Sequence, residues 1–194
     1  MSQYAIVVDL DRCIGCHGCE IACKNENEVE LGSFWNKVVQ VGPFGDYPHL
    51  HQYFLPVMCQ QCDDSPCTHV CPTGASYRDE NNVVLVDKEK CIGCKYCMMA
   101  CPYGVRSWSP SEHVVEKCTL CGQLTSVGEE PKCVAACCAS ARFYGDLDDP
   151  NSDASKALAA AGADSVHRLK DVGNGPQTAY ILSAKYAEWK EEVK

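Results

Sequence analysis

Residues 86–102 read VDKEKCIGCKYCMMACP, with thiols at Cys91, Cys94, Cys97 and Cys101. Residues 8–23 read VDLDRCIGCHGCEIAC and repeat the same C-x2-C-x2-C-x3-C spacing at Cys13, Cys16, Cys19 and Cys23. The two stretches share V, D, C, I, G, C, C, A and C at matching positions, so the chain carries an internal repeat. A looser pair follows. Cys59, Cys62, Cys67 and Cys71 lie in CQQCDDSPCTHVC, and Cys118, Cys121, Cys133 and Cys137 lie in CTLC…CVAAC. Both of these end in C-x3-C, with Ala75 and Ala141 four residues later. Of the 17 cysteines in this 194-residue chain, only Cys138 falls outside the four quartets.

Cysteine at this density means a disulfide scaffold or a metalloprotein. Disulfide frameworks pair partners across the chain and use an even count. An odd count in tight i, i+3, i+6 groups instead holds sulfurs around one point, which is metal chemistry. The first and third groups have the bacterial ferredoxin spacing for a [4Fe–4S] cluster, and the third runs into Pro102 as that pattern requires. In that pattern three thiolates wrap one cluster, and the fourth, expected to start a helix, ligates its neighbour. Alone, the C-x2-C-x11-C-x3-C of the fourth group would suit a structural zinc as readily. Partnership with the first group favours iron–sulfur, because Cys23 needs an equal cluster to reach.

Cys71 and Cys91 are only twenty positions apart, so groups two and three form one compact unit, and groups one and four pair from outside it. The expected ligand sets are Cys13, Cys16, Cys19 with Cys137; Cys118, Cys121, Cys133 with Cys23; Cys59, Cys62, Cys67 with Cys101; and Cys91, Cys94, Cys97 with Cys71. The fold class is then α+β: two ferredoxin-like 2[4Fe–4S] domains, one inserted in the other, with short strand pairs and a C-terminal tail. The outer domain takes residues 1–56 and 105–145, the inserted one 57–104, and the tail 146–194. Four sulfur-saturated clusters leave no iron open to a substrate. The expected work is one-electron transfer rather than catalysis.

Local patterns predict strands at Ala5–Leu10 and Val83–Val86, and a strand pair at Phe34–Val41 and His49–Leu55 around the turn region GPFGDYP. The tail predicts a helix over Asp153–Ala161 with Ser152 as N-cap and Gly162 at C′, a strand at Ala179–Leu182, and a polar helix from Ser183 onward. Cys138 stands where groups two and three have Pro72 and Pro102, and reads as a small buried side chain rather than a substitute ligand. His17 reads as a solvated loop residue. His49, His51, His69, His113 and His167 form no ligand set. Tyr96, Tyr103 and Trp108 surround group three and read as aromatic packing or an electron exit.

The net charge of -9, from 26 acidic and 17 basic residues, argues against nucleic acid or an anionic membrane as partner. No run of about 18 apolar residues occurs. The stretch MSQYAIVVDLDRC lacks a basic n-region, an apolar h-region and a cleavage site. The chain is therefore expected to be cytoplasmic, or to be exported only with a partner that carries a signal.

CIGCHGCEIACKNEN, CTHVCPTGASY, CIGCKYCMMACPYGVR, EKCTLC and GDLDDPNS together resemble the iron–sulfur subunit of the dimethyl sulfoxide reductase family of molybdopterin enzymes. The resemblance covers nearly the whole chain. Its relatives include polysulfide, thiosulfate and arsenate reductase subunits and the small subunits of transhydroxylases and catechol dehydroxylases. It implies a four-cluster wire docked on a large catalytic subunit, which alone holds molybdenum or tungsten with a pterin. In several relatives a membrane anchor exchanges quinol electrons, and a twin-arginine signal on the catalytic subunit exports both. Cys94 stands where nitrate-reductase-type subunits have Trp, so no [3Fe–4S] centre is implied. The competing expectation is a free-standing polyferredoxin or a hydrogenase or formate-complex partner. The long tail after Arg142 favours a fixed subunit.

Overall fold

The computed structural model describes residues 2–184 and 187–191. Strand β1 (Tyr4–Asp9) is the hub, with Ala5, Ile6, Val7 and Val8 fully buried. An unbroken apolar run is what a strand covered on both faces requires. Helix α1 (Gly18–Glu26) follows, then strands β2 (Asn36–Phe44) and β3 (His51–Met58). Next come α2 (Pro66–His69), β4 (Ser76–Arg78), β5 (Val84–Val86) and α3 (Tyr96–Met99). Strands β6 (Ser107–Ser109) and β7 (Val114–Glu116) lead to α4 (Gly122–Thr125) and α5 (Lys132–Ala135). The chain finishes with β8 (Arg142–Asp146), α6 (Asp153–Ala161), β9 (Val166–His167) and β10 (Ala179–Ile181).

This is a small α+β fold of few helices and short strand pairs. One four-stranded sheet has the order β8-β1-β10-β9, with β1 antiparallel to β8 and parallel to β10. The three intervals between the four cysteine groups are each filled by an antiparallel pair: β2 with β3, β4 with β5, and β6 with β7. A hairpin reverses the chain within a few residues, so each one returns the polypeptide to the cysteine-bearing centre.

Alternation along β1 separates two cores. Val7 joins Ala179, Ile181 and Ala154 beneath α6. Ile6, Val8 and Leu10 face the opposite way, into a core shared with Leu55, Met58, Tyr180 and the thiol-bearing Cys23, Cys59, Cys118 and Cys133.

Helix α6 occupies the residues read from sequence, and the Ser152 side chain accepts from Ser155 N at 3.1 Å. Ser152→Ala should cost about 1 kcal/mol, seen as faster amide exchange confined to α6. The β2–β3 pair runs further than expected, from Asn36 to Phe44 and from His51 to Met58. Pro56 lies inside it because Val38, its register partner, gives its N–H to the Glu20 carboxylate instead. Two expectations need correction. No helix forms at 183–184 or 187–191, and residues 185–186 and 192–194 lie outside the described residues. Ala187 is buried there, and Trp189 stacks on Tyr53 and His167 and tilts against Tyr180. The fourth cysteine does not begin a helix either: α1 starts before Cys19 and carries Cys23 within it, while Cys101 follows α3. No helix among the described residues is long and apolar enough to cross a membrane.

Candidate metal centres

In both C-I-G-C stretches the glycine is left-handed, at φ 64° for Gly15 and 69° for Gly93. Space and conformation both demand it. A Cβ on Gly15 would run into the Phe54 ring, and one on Gly93 would lie 2.9 Å from His113 O and 3.0 Å from the Trp108 indole. Two residues later the repeat holds again, with His17 at φ 59° capping α1 and Lys95 at φ 63° capping α3. Beyond these turns Cys97 is buried and Cys19 half-buried, while Cys16 and Cys94 stay exposed. Gly15→Ala should cost about 1–2 kcal/mol from the left-handed backbone alone, plus the displacement of Phe54. Phe54→Ala should relieve only the second part, and denaturant titration of the holoprotein separates the two.

The thiols gather across the sequence. Cys13 has Cys19 and Cys137 as its charged neighbours. Cys23 has Cys118, Cys133 and Cys121, and Asn27 Nδ2 stands 3.7 Å from both Cys23 Sγ and Cys121 Sγ. Cys62 has Cys59, Cys101 and Cys67. Cys71, Cys91, Cys94 and Cys97 line one small apolar cavity with Ile92, Val86 and Val115. Cys16 Sγ approaches Cys138 Sγ at 3.8 Å. Cys138 is exposed, against its reading as a buried side chain. Backbone amides are aimed at the sulfurs as well: Ser76 N lies 3.4 Å from Cys71 Sγ, and Ala141 N lies 3.3 Å from Cys137 Sγ. Among the described residues, no three His, Cys, Asp or Glu side chains close around a single ion.

Burial and crowding by like charge act on these sulfurs together. Burial pushes Cys62 and Cys118 up to about 12, with help from Cys59 and Cys133 respectively, and raises Cys23 further still. Holding thiolates here therefore needs positive charge and hydrogen-bond donors. The structure supplies both, from residues that sequence reading missed. Arg142 is only 4% exposed and lies beside Cys133, Cys19 and Cys118, with Nη2 2.9 Å from Met58 Sδ. Burial alone would lower its pKa, but the surrounding sulfurs outweigh that and raise it. Arg106 is 5% exposed; its Nη2 donates to Cys67 Sγ and Ser76 Oγ, both at 2.8 Å. Buried Lys117 donates to Cys118 O at 2.6 Å. Asn174, in the tail, donates to Cys62 Sγ at 2.9 Å and to Tyr103 Oη at 2.9 Å. Nε and Nη1 of Arg142 and Nη1 of Arg106 have no hydrogen-bond partner among the described residues. Such buried N–H groups cost about 1–3 kcal/mol each unless an acceptor is supplied, and cluster sulfides are such acceptors. The donor set thus fits four-iron clusters in chemistry, charge and hydrogen bonding.

The remaining candidates lie elsewhere. His17 is exposed, as read from sequence, and its Nδ1 pairs with Glu20 Oε2 at 3.0 Å, tying the first cysteine loop to α1. His69 pairs with Asp64, and His113 packs against Trp108, whose ring also carries Lys95 Nζ at 4.0 Å. Trp108 packs with Cys67 and Cys97, while Tyr96 is exposed.

Thiol quartets in glycine-turn loops, amides aimed at sulfur and buried cations beside them define an iron–sulfur protein of the ferredoxin class. The 4Fe-4S dicluster domain family matches residues 50–147, and a 4Fe-4S binding domain family matches residues 10–27. A Halobacterium salinarum protein named as a dimethyl sulfoxide reductase iron–sulfur subunit is 41% identical over 93% of this chain and 79% of its own. A sulfite dehydrogenase subunit of Allochromatium vinosum is 40% identical over 95% of this chain and 85% of its own. The thiosulfate reductase electron transfer subunit of Salmonella typhi is 39% identical over 97% of each chain. The chain belongs to the iron–sulfur subunits of the dimethyl sulfoxide reductase family. It binds [4Fe–4S] clusters and serves as an electron-transfer subunit, not the catalytic one.

Proposed function

We propose that this chain holds four [4Fe–4S] clusters in series and conducts electrons to or from a large molybdenum- or tungsten-pterin catalytic subunit. The ligand sets are those expected from the spacing: Cys13, Cys16, Cys19 and Cys137; Cys118, Cys121, Cys133 and Cys23; Cys59, Cys62, Cys67 and Cys101; Cys91, Cys94, Cys97 and Cys71. Each cluster, when bound, takes up and returns one electron. The protein's part is to fix the sulfurs, keep water away and set the local charge.

One observation carries the serial reading. Cys118 has Cys59 as a charged neighbour in addition to Cys133, which joins the second set to the third across the proposed domain boundary. Arg142 has sulfurs of the first and second sets as charged neighbours, and Arg106 those of the third and fourth. The order first, second, third, fourth follows. It favours an outer ferredoxin-like domain (1–56 and 105–145) with residues 57–104 inserted. The tail from 146 adds α6, β9 and β10 to the outer domain's sheet and reaches the third set through Asn174.

The named relatives are subunits of reductase or dehydrogenase complexes, which supports a catalytic partner here. Where that partner carries an export signal, this chain travels with it. Anaerobic purification from its own cells should yield about sixteen iron atoms per chain and a large Mo- or W-containing partner. A soluble monomer without that partner would overturn the assignment.

A further inference from the structure

Arg106 and Arg142 share one offset from their cysteine groups, three and four. Each lies five residues after the last cysteine of its group, in CPYGVR and CCASAR. Each is almost wholly buried. Neither pairs with a carboxylate among the described residues. Each is instead flanked by thiols of two different sets: Cys67 and Cys59 of the third with Cys97 of the fourth around Arg106, and Cys133 and Cys118 of the second with Cys19 of the first around Arg142. Each also keeps at least one buried guanidinium nitrogen without a hydrogen-bond partner among the described residues. Groups one and two have no counterpart, since Glu28 and Ser76 occupy the fifth position there.

We infer that Arg106 and Arg142 are matched redox-setting residues, each placing one fixed positive charge between the two clusters of its half and raising both of their potentials. The inference rests on the ligand sets proposed above. Its physics is direct. Reduction adds one negative charge to a cluster, and cluster charge, hydrogen bonds to sulfur and exposure set the potential. A buried cation with no carboxylate partner among the described residues favours the reduced form of whatever lies on either side. Because each guanidinium is shared, its loss must be felt by two clusters and not by the other pair.

The test is an EPR-monitored redox titration of the anaerobically purified full chain, with iron assayed alongside. Arg106→Gln should make two of the four midpoints more negative, and Arg142→Gln should move the other two. The expected change is at least tenfold in each reduction equilibrium, about 59 mV for one electron. Arg106→Lys and Arg142→Lys keep the charge and should hold their midpoints within that margin. The inference is overturned if the Gln variants keep their iron but move no midpoint or move all four alike, or if Lys shifts them as far as Gln. Should the Gln variants lose iron, wild-type protein labelled with 15N in arginine alone decides. Pulsed EPR of the reduced clusters must then show guanidinium nitrogen coupling, and its absence overturns the inference. A wild-type iron content well short of four clusters would instead sink the ligand sets, leaving the arginines out of question.

Discussion

Replacing Cys101 by alanine should empty the cluster site of group two while the site of its own group survives. The direction is unusual, because Cys101 is contiguous in sequence with Cys91, Cys94 and Cys97. Its half-buried thiol, however, lies near Cys59 and Cys67, and Cys62 counts it among its near neighbours. The cavity lined by Cys91, Cys94 and Cys97 receives Cys71 instead. Helix α3 would produce the exchange. One short turn from Tyr96 to Met99 carries the chain past the third cysteine and delivers the fourth to the far side. The variant should lose about four of sixteen iron atoms and one EPR-active midpoint. Cys71→Ala should remove a different one, the cluster built on Cys91, Cys94 and Cys97. Cluster-by-cluster redox titration of the two variants distinguishes the sites. Loss of the same midpoint in both, or loss of the group-three cluster in Cys101→Ala, would overturn the crossed ligation.

Both predicted losses start from spacing alone, and that was the most legible feature of the chain. A C-x2-C-x2-C-x3-C run marks its four thiols without help from distant contacts, although the helix expected at the fourth cysteine instead begins before the third. Helix α6 was legible for the same reason: Ser152 and Gly162 bound it locally, without help from distant contacts. The segment after Ser183 was misread because its composition suits a helix, whereas Ala187 and Trp189 are drawn onto Tyr53, Tyr180 and His167. Tertiary packing overrides propensity when an aromatic side chain has a deep place to go. Arg106, Arg142, Lys117 and Asn174 were missed for another reason. A basic or amide side chain carries no mark of burial in a single sequence. Only the repeat offset of Arg106 and Arg142 could have raised them, and it becomes meaningful once their positions beside sulfur are known. Asn174 could not have been found that way, because 112 residues separate it from Cys62.

Stripping the iron should dismantle most of the fold, which follows from how little else holds these segments together. Helices α2, α3, α4 and α5 have four residues each, far below the length at which an isolated helix persists in water. The β4–β5 and β6–β7 pairs have three residues per strand, and isolated two-stranded pairs are marginal. Without metal, the buried thiols among which these pieces pack revert to protonated groups. The sheet β8-β1-β10-β9 under α6 is different, since its second core of Val7, Ala154, Ala179 and Ile181 contains no cysteine. A structural metal site in a small domain is worth on the order of 10 kcal/mol. At about 2–4 °C per kcal/mol for a chain of this length, losing even one cluster should lower the thermal midpoint by tens of degrees. Anaerobic oxidation with a chelator, followed by hydrogen exchange, should leave amides of β1 and α6 the best protected and expose those between Cys59 and Cys137. An apoprotein that unfolds cooperatively within a few degrees of the holoprotein would mean that side-chain packing, and not the clusters, holds the centre together.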